Sequence, residues 1–124
     1  MVGGVMSTVK VRLDGGPEVT AVITAEAARD LGLAEGVAVT VLVKSTEVAL
    51  ATGAVPGISI RNRIPGTVTA VEHGAVMTTV KVAIAGGGEL TAAITRDAAE
   101  DLGLAAGAEV TALVKSTEVS VALV

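Results

Sequence analysis

GAVMTTVKVAIAGGGELTAAITRDAAEDLGL, residues 74–104, decides the fold of this 124-residue chain, because residues 3–33 read GGVMSTVKVRLDGGPEVTAVITAEAARDLGL. Sliding the sequence against itself by 71 positions aligns residues 3–52 with 74–123 without a gap, and most of the pairs are identical. Self-similarity of that length at one fixed offset predicts two copies of a single structural unit. Within the second copy, Met77 to Ile84 alternates with the period of two expected of a half-buried strand. Gly86-Gly87-Gly88 then supplies the positive φ angles of a tight reversal, so a hairpin returns along Glu89 to Ile94. Thr95 is placed to cap a short helix, with Asp97 in its first turn, Ala98, Ala99 and Leu102 on one face and Gly103 at its end. Thr24 to Gly32 repeats the device. Gly36 or Gly107 turns the chain into a Val-rich strand, and Lys-Ser-Thr-Glu bends it into a last one, Val119 to Leu123 in the second copy. About five strands and one short helix per unit predict a mainly β protein of two small OB-like barrels.

The copies differ in completeness. Ahead of the second lies Ile58 to His73, which reads as an opening strand bent at Pro65-Gly66. The first copy has no counterpart. The sequence therefore divides into a first lobe, residues 1–53, lacking its opening strand, a linker at 54–57, and a complete second lobe, 58–124. The turn-like run Thr52 to Gly57 keeps the lobes close. A barrel short of one strand exposes two edges, which predicts strand exchange between chains or an altered first lobe.

Composition narrows the function classes. The chain has no Phe, Tyr, Trp or Cys. Aliphatic side chains alone must fill the cores, which are then thin, and association is the usual remedy, so an oligomer is expected. Without Cys there are neither disulfides nor thiolate metal sites, consistent with a reducing, cytoplasmic setting. Apolar runs are short and interrupted, so no signal peptide or membrane span is read despite a mean hydropathy of +0.71. A net charge of −4 without a concentrated basic face argues against a nucleic-acid surface. One His and no Cys cannot assemble a nucleophile, a base and an orienting group, which disfavours an enzyme.

Ser59-Ile60-Arg61-Asn62, then Gly66-Thr67-Val68, then Val71-Glu72-His73-Gly74-Ala75-Val76, together with Leu113-Val114-Lys115-Ser116 and Val119, resemble the Mop (TOBE-type) domain family, known as molbindins when the domains stand alone. The likeness covers nearly the whole second copy and, from Gly3 onward, most of the first. It implies OB-like lobes assembled as trimers of paired lobes or as hexamers. It also implies that tetrahedral oxyanions, molybdate or tungstate, are held at lobe interfaces for storage or buffering, with no organic cofactor and no bound metal cation. Carried over by position, the implied oxyanion-binding residues are Ser59, Ile60, Arg61 and Asn62; Gly74, Ala75 and Val76; and Lys115 with Ser116, matched in the first copy by Lys44 and Ser45. Met77 and Met6 stand where the family often has Asn, which removes one side-chain hydrogen bond. The missing opening strand removes one Ser-x-Arg-Asn set, so fewer sites per chain are expected.

The chemistry agrees with the resemblance. A dianion that is only an acceptor wants a pocket of donors alone: an Arg fork, an ammonium, hydroxyls and backbone N–H groups. Monohydrogen phosphate carries a proton that needs an acceptor, so a pocket without a carboxylate selects against it. Plainer readings exist for each residue. Arg61 and Lys115 also suit solvated surface charges, and the serines and Gly74 suit ordinary turns. His73 alone reads as a polar loop residue, Glu47 and Glu118 as solvated strand edges, and Gly86-Gly87-Gly88 as a turn lacking the residues of a phosphate loop. The helix starts at Thr24 and Thr95 offer a second, weaker class of anion site. The alternative function is a structural or sensory oligomerisation module, a fragment of a regulator or transporter, with weak or no anion binding.

Overall fold

The computed structural model describes residues 2–124, with side chains from residue 3 onward. Its elements run β1 (Val2–Gly3), β2 (Met6–Arg12), β3 (Glu18–Thr24), α1 (Ala25–Asp30), β4 (Val39–Val43), β5 (Ala49–Ala51), β6 (Asn62–His73), β7 (Met77–Ile84), β8 (Glu89–Thr95), α2 (Arg96–Asp101), β9 (Glu109–Val114) and β10 (Val119–Leu123). Short 3-10 turns, Ser45–Glu47 and Ser116–Glu118, precede β5 and β10. The predicted hairpins form in register, Met6↔Thr24 through Arg12↔Glu18 and Met77↔Thr95 through Ala83↔Glu89. Both helices start as expected: the Thr24 and Thr95 hydroxyls accept from the N–H groups of Ala27 and Ala98, each at 3.1 Å. Gly32 and Gly103, with φ of 63° and 62°, end them in the left-handed conformation that only glycine adopts cheaply. No helix among the described residues is long and apolar enough to cross a membrane.

The last strand of each copy is exchanged within the chain. β10, from the second copy, pairs with β4 of the first, Val119↔Val43 to Leu123↔Val39. β5, from the first copy, pairs with β9 of the second, Ala49↔Leu113 to Ala51↔Thr111. The boundaries of the sequence repeat, residues 1–53 and 58–124, are therefore not the boundaries of the sheets. The second lobe is a five-stranded sheet of order β5-β9-β6-β7-β8 that curls until its outer strands β5 and β8 touch. The first lobe consists of β1-β2-β3 and the β4-β10 pair, with β10 packed against β3. This exchange lies inside one chain, is distinct from the exchange between chains that the sequence led us to expect, and does not supply the missing opening strand.

β6 runs unbroken through Pro65 and Gly66, where the sequence suggested a bend. It pairs with β9 from Asn62 to Thr67 and with β7 from Gly66 to His73, and the register slips later, between Val68 and Ala70. Pro65 is tolerated because β6 has a partner on one side only before Gly66, so the absent N–H leaves no ladder unmade. Gly66 is needed where β6 takes on its second partner: a Cβ there would lie 2.5 Å from Val82 Cγ1 and 2.7 Å from the Ala83 carbonyl oxygen.

A single core serves both lobes. Val19 and Ala21 of β3, Val48 and Val119 from the exchanged ends, and Val68, Val80, Val82, Val110 and Val114 of the second lobe form one buried cluster. The thin cores expected of an aromatic-free chain are merged, which raises the buried fraction above what either copy reaches alone.

Candidate functional site

The strand register decides which predicted donors meet. Asn62 pairs with Val114, so Arg61 and Lys115, the next residue outward on each strand, emerge at the same end of the second sheet. Both are exposed, on the face opposite buried Asn62 and Val114. Ser116 follows in the 3-10 turn, which the Glu118 N–H closes on the Lys115 carbonyl at 2.9 Å and which packs against β3 of the first lobe. Ser59 is exposed and Ile60 half-buried in the irregular segment leading into β6. Arg61, Lys115 and Lys44 make no side-chain hydrogen bond or ion pair among the described residues, whereas Arg63 and Arg96 are both engaged. Unpaired cations beside serine hydroxyls are what an acceptor-only dianion requires.

Asn62 has another role. Its side chain is 2% exposed, and its carboxamide accepts from the Thr20 N–H and donates to the Thr20 carbonyl, both at 2.8 Å. The amide thus closes on the main chain of the first lobe, with its oxygen and one of its two N–H groups engaged there. Two residues on, Arg63 does what no sequence pattern announced. Its Nε, Nη1 and Nη2 donate to the carbonyls of Ile60, Val55 and Ile58 at 3.1, 2.9 and 2.6 Å. One planar guanidinium therefore fixes the segment that carries Ser59 and Arg61. The single available clue is an Arg following a Gly/Pro-rich stretch whose carbonyls have no ladder to join.

Gly74, Ala75 and Val76 form the β6–β7 turn at the opposite end of β6. Twelve extended residues separate the two ends, roughly 35 Å at the usual rise per residue. The Gly74 N–H is used on Met77 at 2.7 Å, and the Gly74 and Val76 carbonyls accept from Arg96, leaving the N–H groups of Ala75 and Val76 without a partner among the described residues. Lys44 and Ser45 occupy the matching place in the first copy, in a turn that packs against β8. Within one chain Arg61 and Lys115, with Ser59 and Ser116 next to them in sequence, thus stand at one end of β6 and Gly74 to Val76 at the other, while Lys44 and Ser45 lie at the turn against β8.

At the helix starts the Ala25 and Arg96 N–H groups donate to the Val5 and Val76 carbonyls at 2.7 and 2.8 Å, and the Thr24 and Thr95 hydroxyls accept from the Ala27 and Ala98 N–H groups. Helices of six residues so capped offer only a weak dipole to an anion at Thr24 or Thr95. A cleft of about 630 Å³ lies between Gly66, Ala83 and Val110; Glu109 is its only charged lining residue, the wrong sign for an oxyanion. His73 Nδ1 lies 2.9 Å from the Thr78 hydroxyl, a contact within the hairpin.

What the fold defines is a class of paired, curled β lobes that share strands and present unpaired donors at strand ends. The chain belongs to the TOBE-domain family, which matches residues 2–50 and 58–121. It is 45% identical over 120 residues to the molybdenum-pterin-binding protein MopB of Rhodobacter capsulatus, covering 96% of this chain and 44% of that protein. It is 39% identical over 122 residues to the molybdenum transport protein ModE of Azotobacter vinelandii, covering 98% of this chain and 45% of that protein. The chain thus spans a little under half the length of these relatives. Among solved structures, the cytoplasmic molybdate-binding protein ModG with molybdate bound superposes with a TM-score of 0.95 at 39% identity, covering 99% of this chain and 88% of that one.

Proposed function

We propose that this chain binds molybdate or tungstate reversibly, as a cytoplasmic oxyanion store or buffer rather than a catalyst, in pockets completed when copies of it assemble. The observation that carries the reading is the set of unpaired donors at the Asn62 end of β6: Arg61 and Lys115 on neighbouring strands, with Ser59 and Ser116 beside them. The likeness to ModG over 99% of the chain supports the ligand class.

One chain leaves the Ala75 and Val76 N–H groups at the far end of β6, so a pocket using both sets draws the Gly74–Val76 turn from a second copy. Assembly then excludes water, which strengthens each charge-assisted contact. The net charge of −4 does not oppose this, because charges beyond roughly 8 Å are screened at physiological salt. Selectivity over monohydrogen phosphate follows from the lack of an acceptor for its proton, and selectivity over sulfate rests on anion size.

Isothermal titration with molybdate, tungstate, sulfate and phosphate tests the reading. Tight binding of the first two alone is expected; equal or absent heats for all four reject it. Arg61→Ala is expected to remove most of the affinity while sedimentation shows the oligomer unchanged, and unaltered affinity moves the site elsewhere.

A further inference from the structure

Both copies place the same turn beside the same helix start, and one side chain tells them apart. In the second copy the helix start holds the Gly74–Val76 turn through main chain and side chain together. The Arg96 N–H donates to the Val76 carbonyl at 2.8 Å, and Arg96 Nη1 donates to the Gly74 carbonyl at 3.3 Å. Glu100, one helical turn on, accepts from Arg96 Nε at 2.8 Å and so sets where the guanidinium points. With side chains 47% and 59% exposed, this ion pair contributes little stability of its own, and its effect lies in where it leaves Nη1.

The first copy supplies the comparison. There the 71-residue offset puts Ala25 in place of Arg96 and Arg29 in place of Glu100. The main-chain contact is kept, from the Ala25 N–H to the Val5 carbonyl at 2.7 Å, and the caps match, with Thr24 and Thr95 both at φ −69°. The side-chain contact has no counterpart. Beside Ala25 lies instead an open cleft of about 360 Å³ whose lining includes Gly4, Val5 and Arg29. The turn backbone divides in the same way: Gly4 has a φ of 71°, whereas its equivalent, Ala75, lies outside the left-handed region.

A carbonyl held in this turn fixes the N–H behind it. The peptide unit is planar and trans, so the Gly74 carbonyl and the Ala75 N–H belong to one rigid plate and point in opposite directions. Anchoring the carbonyl on Arg96 aims the Ala75 N–H away from the guanidinium, and that N–H has no partner among the described residues. A cation on the carbonyl also draws electron density through the amide, which makes the N–H a stronger donor. We infer, resting on the anion-binding reading above, that Arg96 is the positioning residue of the Gly74–Val76 turn. It orients and polarises the Gly74–Ala75 peptide so that the Ala75 N–H meets the oxyanion, while the guanidinium stays on the other side of that peptide and does not touch the ligand.

The test is calorimetric titration of the full chain with molybdate, unaltered and as Arg96→Ala, Arg96→Lys and Glu100→Gln, with the Ala75 amide nitrogen shift recorded before anion is added. Arg96→Ala installs what the first copy already carries at this helix start. It is expected to weaken molybdate binding about tenfold, as loss of one charge-assisted hydrogen bond implies, and to move the Ala75 signal while the oligomer mass stays the same. Arg96→Lys, whose point charge cannot serve Gly74 and Glu100 together, is expected in between. Glu100→Gln still offers Nε an acceptor and should bind within about twofold of the unaltered chain. Salt separates orientation from bare attraction: at about 1 M, where charges more than about 3 Å apart are screened, the Arg96→Ala deficit should persist. A deficit that vanishes there, unchanged affinity in Arg96→Ala, an equal loss in Glu100→Gln, or a loss accompanied by a smaller oligomer overturns the inference. An unaltered chain that gives no heat with molybdate or tungstate rejects the anion reading itself, and the role of Arg96 with it.

Discussion

Asn62→Ala separates the structural from the ligand-binding role of the residue most deeply buried in the Ser-x-Arg-Asn run. The carboxamide is 2% exposed and holds the Thr20 N–H and C=O at 2.8 Å each. Removing it leaves two main-chain groups unpaired at a half-buried strand. Each costs about 1–3 kcal/mol if sealed from water and less if water reaches it. About 2–3 kcal/mol is therefore expected, which for a chain of this size corresponds to a fall in Tm of roughly 10 °C. Asn62→Asp goes further at pH 7, because it aims a carboxylate oxygen at the Thr20 carbonyl. The interaction disfavours the charged form in the folded protein and raises its pKa there, so the penalty sets in as pH rises above the ordinary Asp range near pH 4 and is full only above the raised folded-state value. It shrinks as pH falls and the carboxyl group regains a proton to donate. Guanidinium unfolding across pH 4–7, alongside molybdate titration, reads both effects. A loss below about 0.5 kcal/mol, or lost anion affinity at unchanged stability, refutes the assignment of Asn62 to the lobe contact.

Arg63→Lys keeps the charge but cannot span the three carbonyls of Val55, Ile58 and Ile60; molybdate affinity by calorimetry should fall about tenfold with a Tm change of only a few degrees. Ser7 is 5% exposed and its hydroxyl has no partner among the described residues, whereas the equivalent Thr78 meets His73, so Ser7→Ala should leave stability unchanged or raise it by up to about 1 kcal/mol while Thr78→Val lowers it by about 1 kcal/mol in the same denaturant assay. Gly66→Ala sets a Cβ 2.5 Å from Val82 Cγ1 and 2.7 Å from a main-chain oxygen, and a loss of about 2–3 kcal/mol in denaturant titrations is expected, comparable to overpacking a core.

Local structure was legible because it depends on neighbours in sequence. The alternation of Met77 to Ile84, the Thr24 and Thr95 caps and the Gly32 and Gly103 stops each state their own geometry, and each appears where it was read. Of the candidate site, the sequence named Arg61 and Lys115, which the strand register brings to one sheet end, but the involvement of Asn62 with Thr20 joins residues 42 apart, and no period in the sequence encodes it. Arg63 escaped notice because its partners are carbonyls, which every residue possesses. The exchange of β5 and β10 was hidden for a different reason. Both strands follow the same Lys-Ser-Thr-Glu-Val turn, so either suits either sheet.

That exchange explains how a chain without aromatic residues holds two lobes together. Val48 and Val119, on the threshold of the exchanged strands, are buried in the same cluster as Val19 and Ala21 of β3 and Val80 and Val82 of β7. Unfolding the second sequence copy withdraws β10 from β4, and unfolding the first withdraws β5 from β9, so each lobe loses a strand when the copy that builds most of the other unfolds. The Asn62–Thr20 clasp adds polar bonds across the same boundary. The lobes are therefore coupled through hydrogen-bonded ladders as well as apolar contact, and cutting the chain between residues 53 and 58 would leave each half with an unsatisfied sheet edge rather than two independent folding units. The same coupling holds the Arg61–Lys115 strand end and the Lys44 turn in fixed relation. An anion site built from parts of several lobes needs that fixed relation, because its donors must be in place before the ligand arrives.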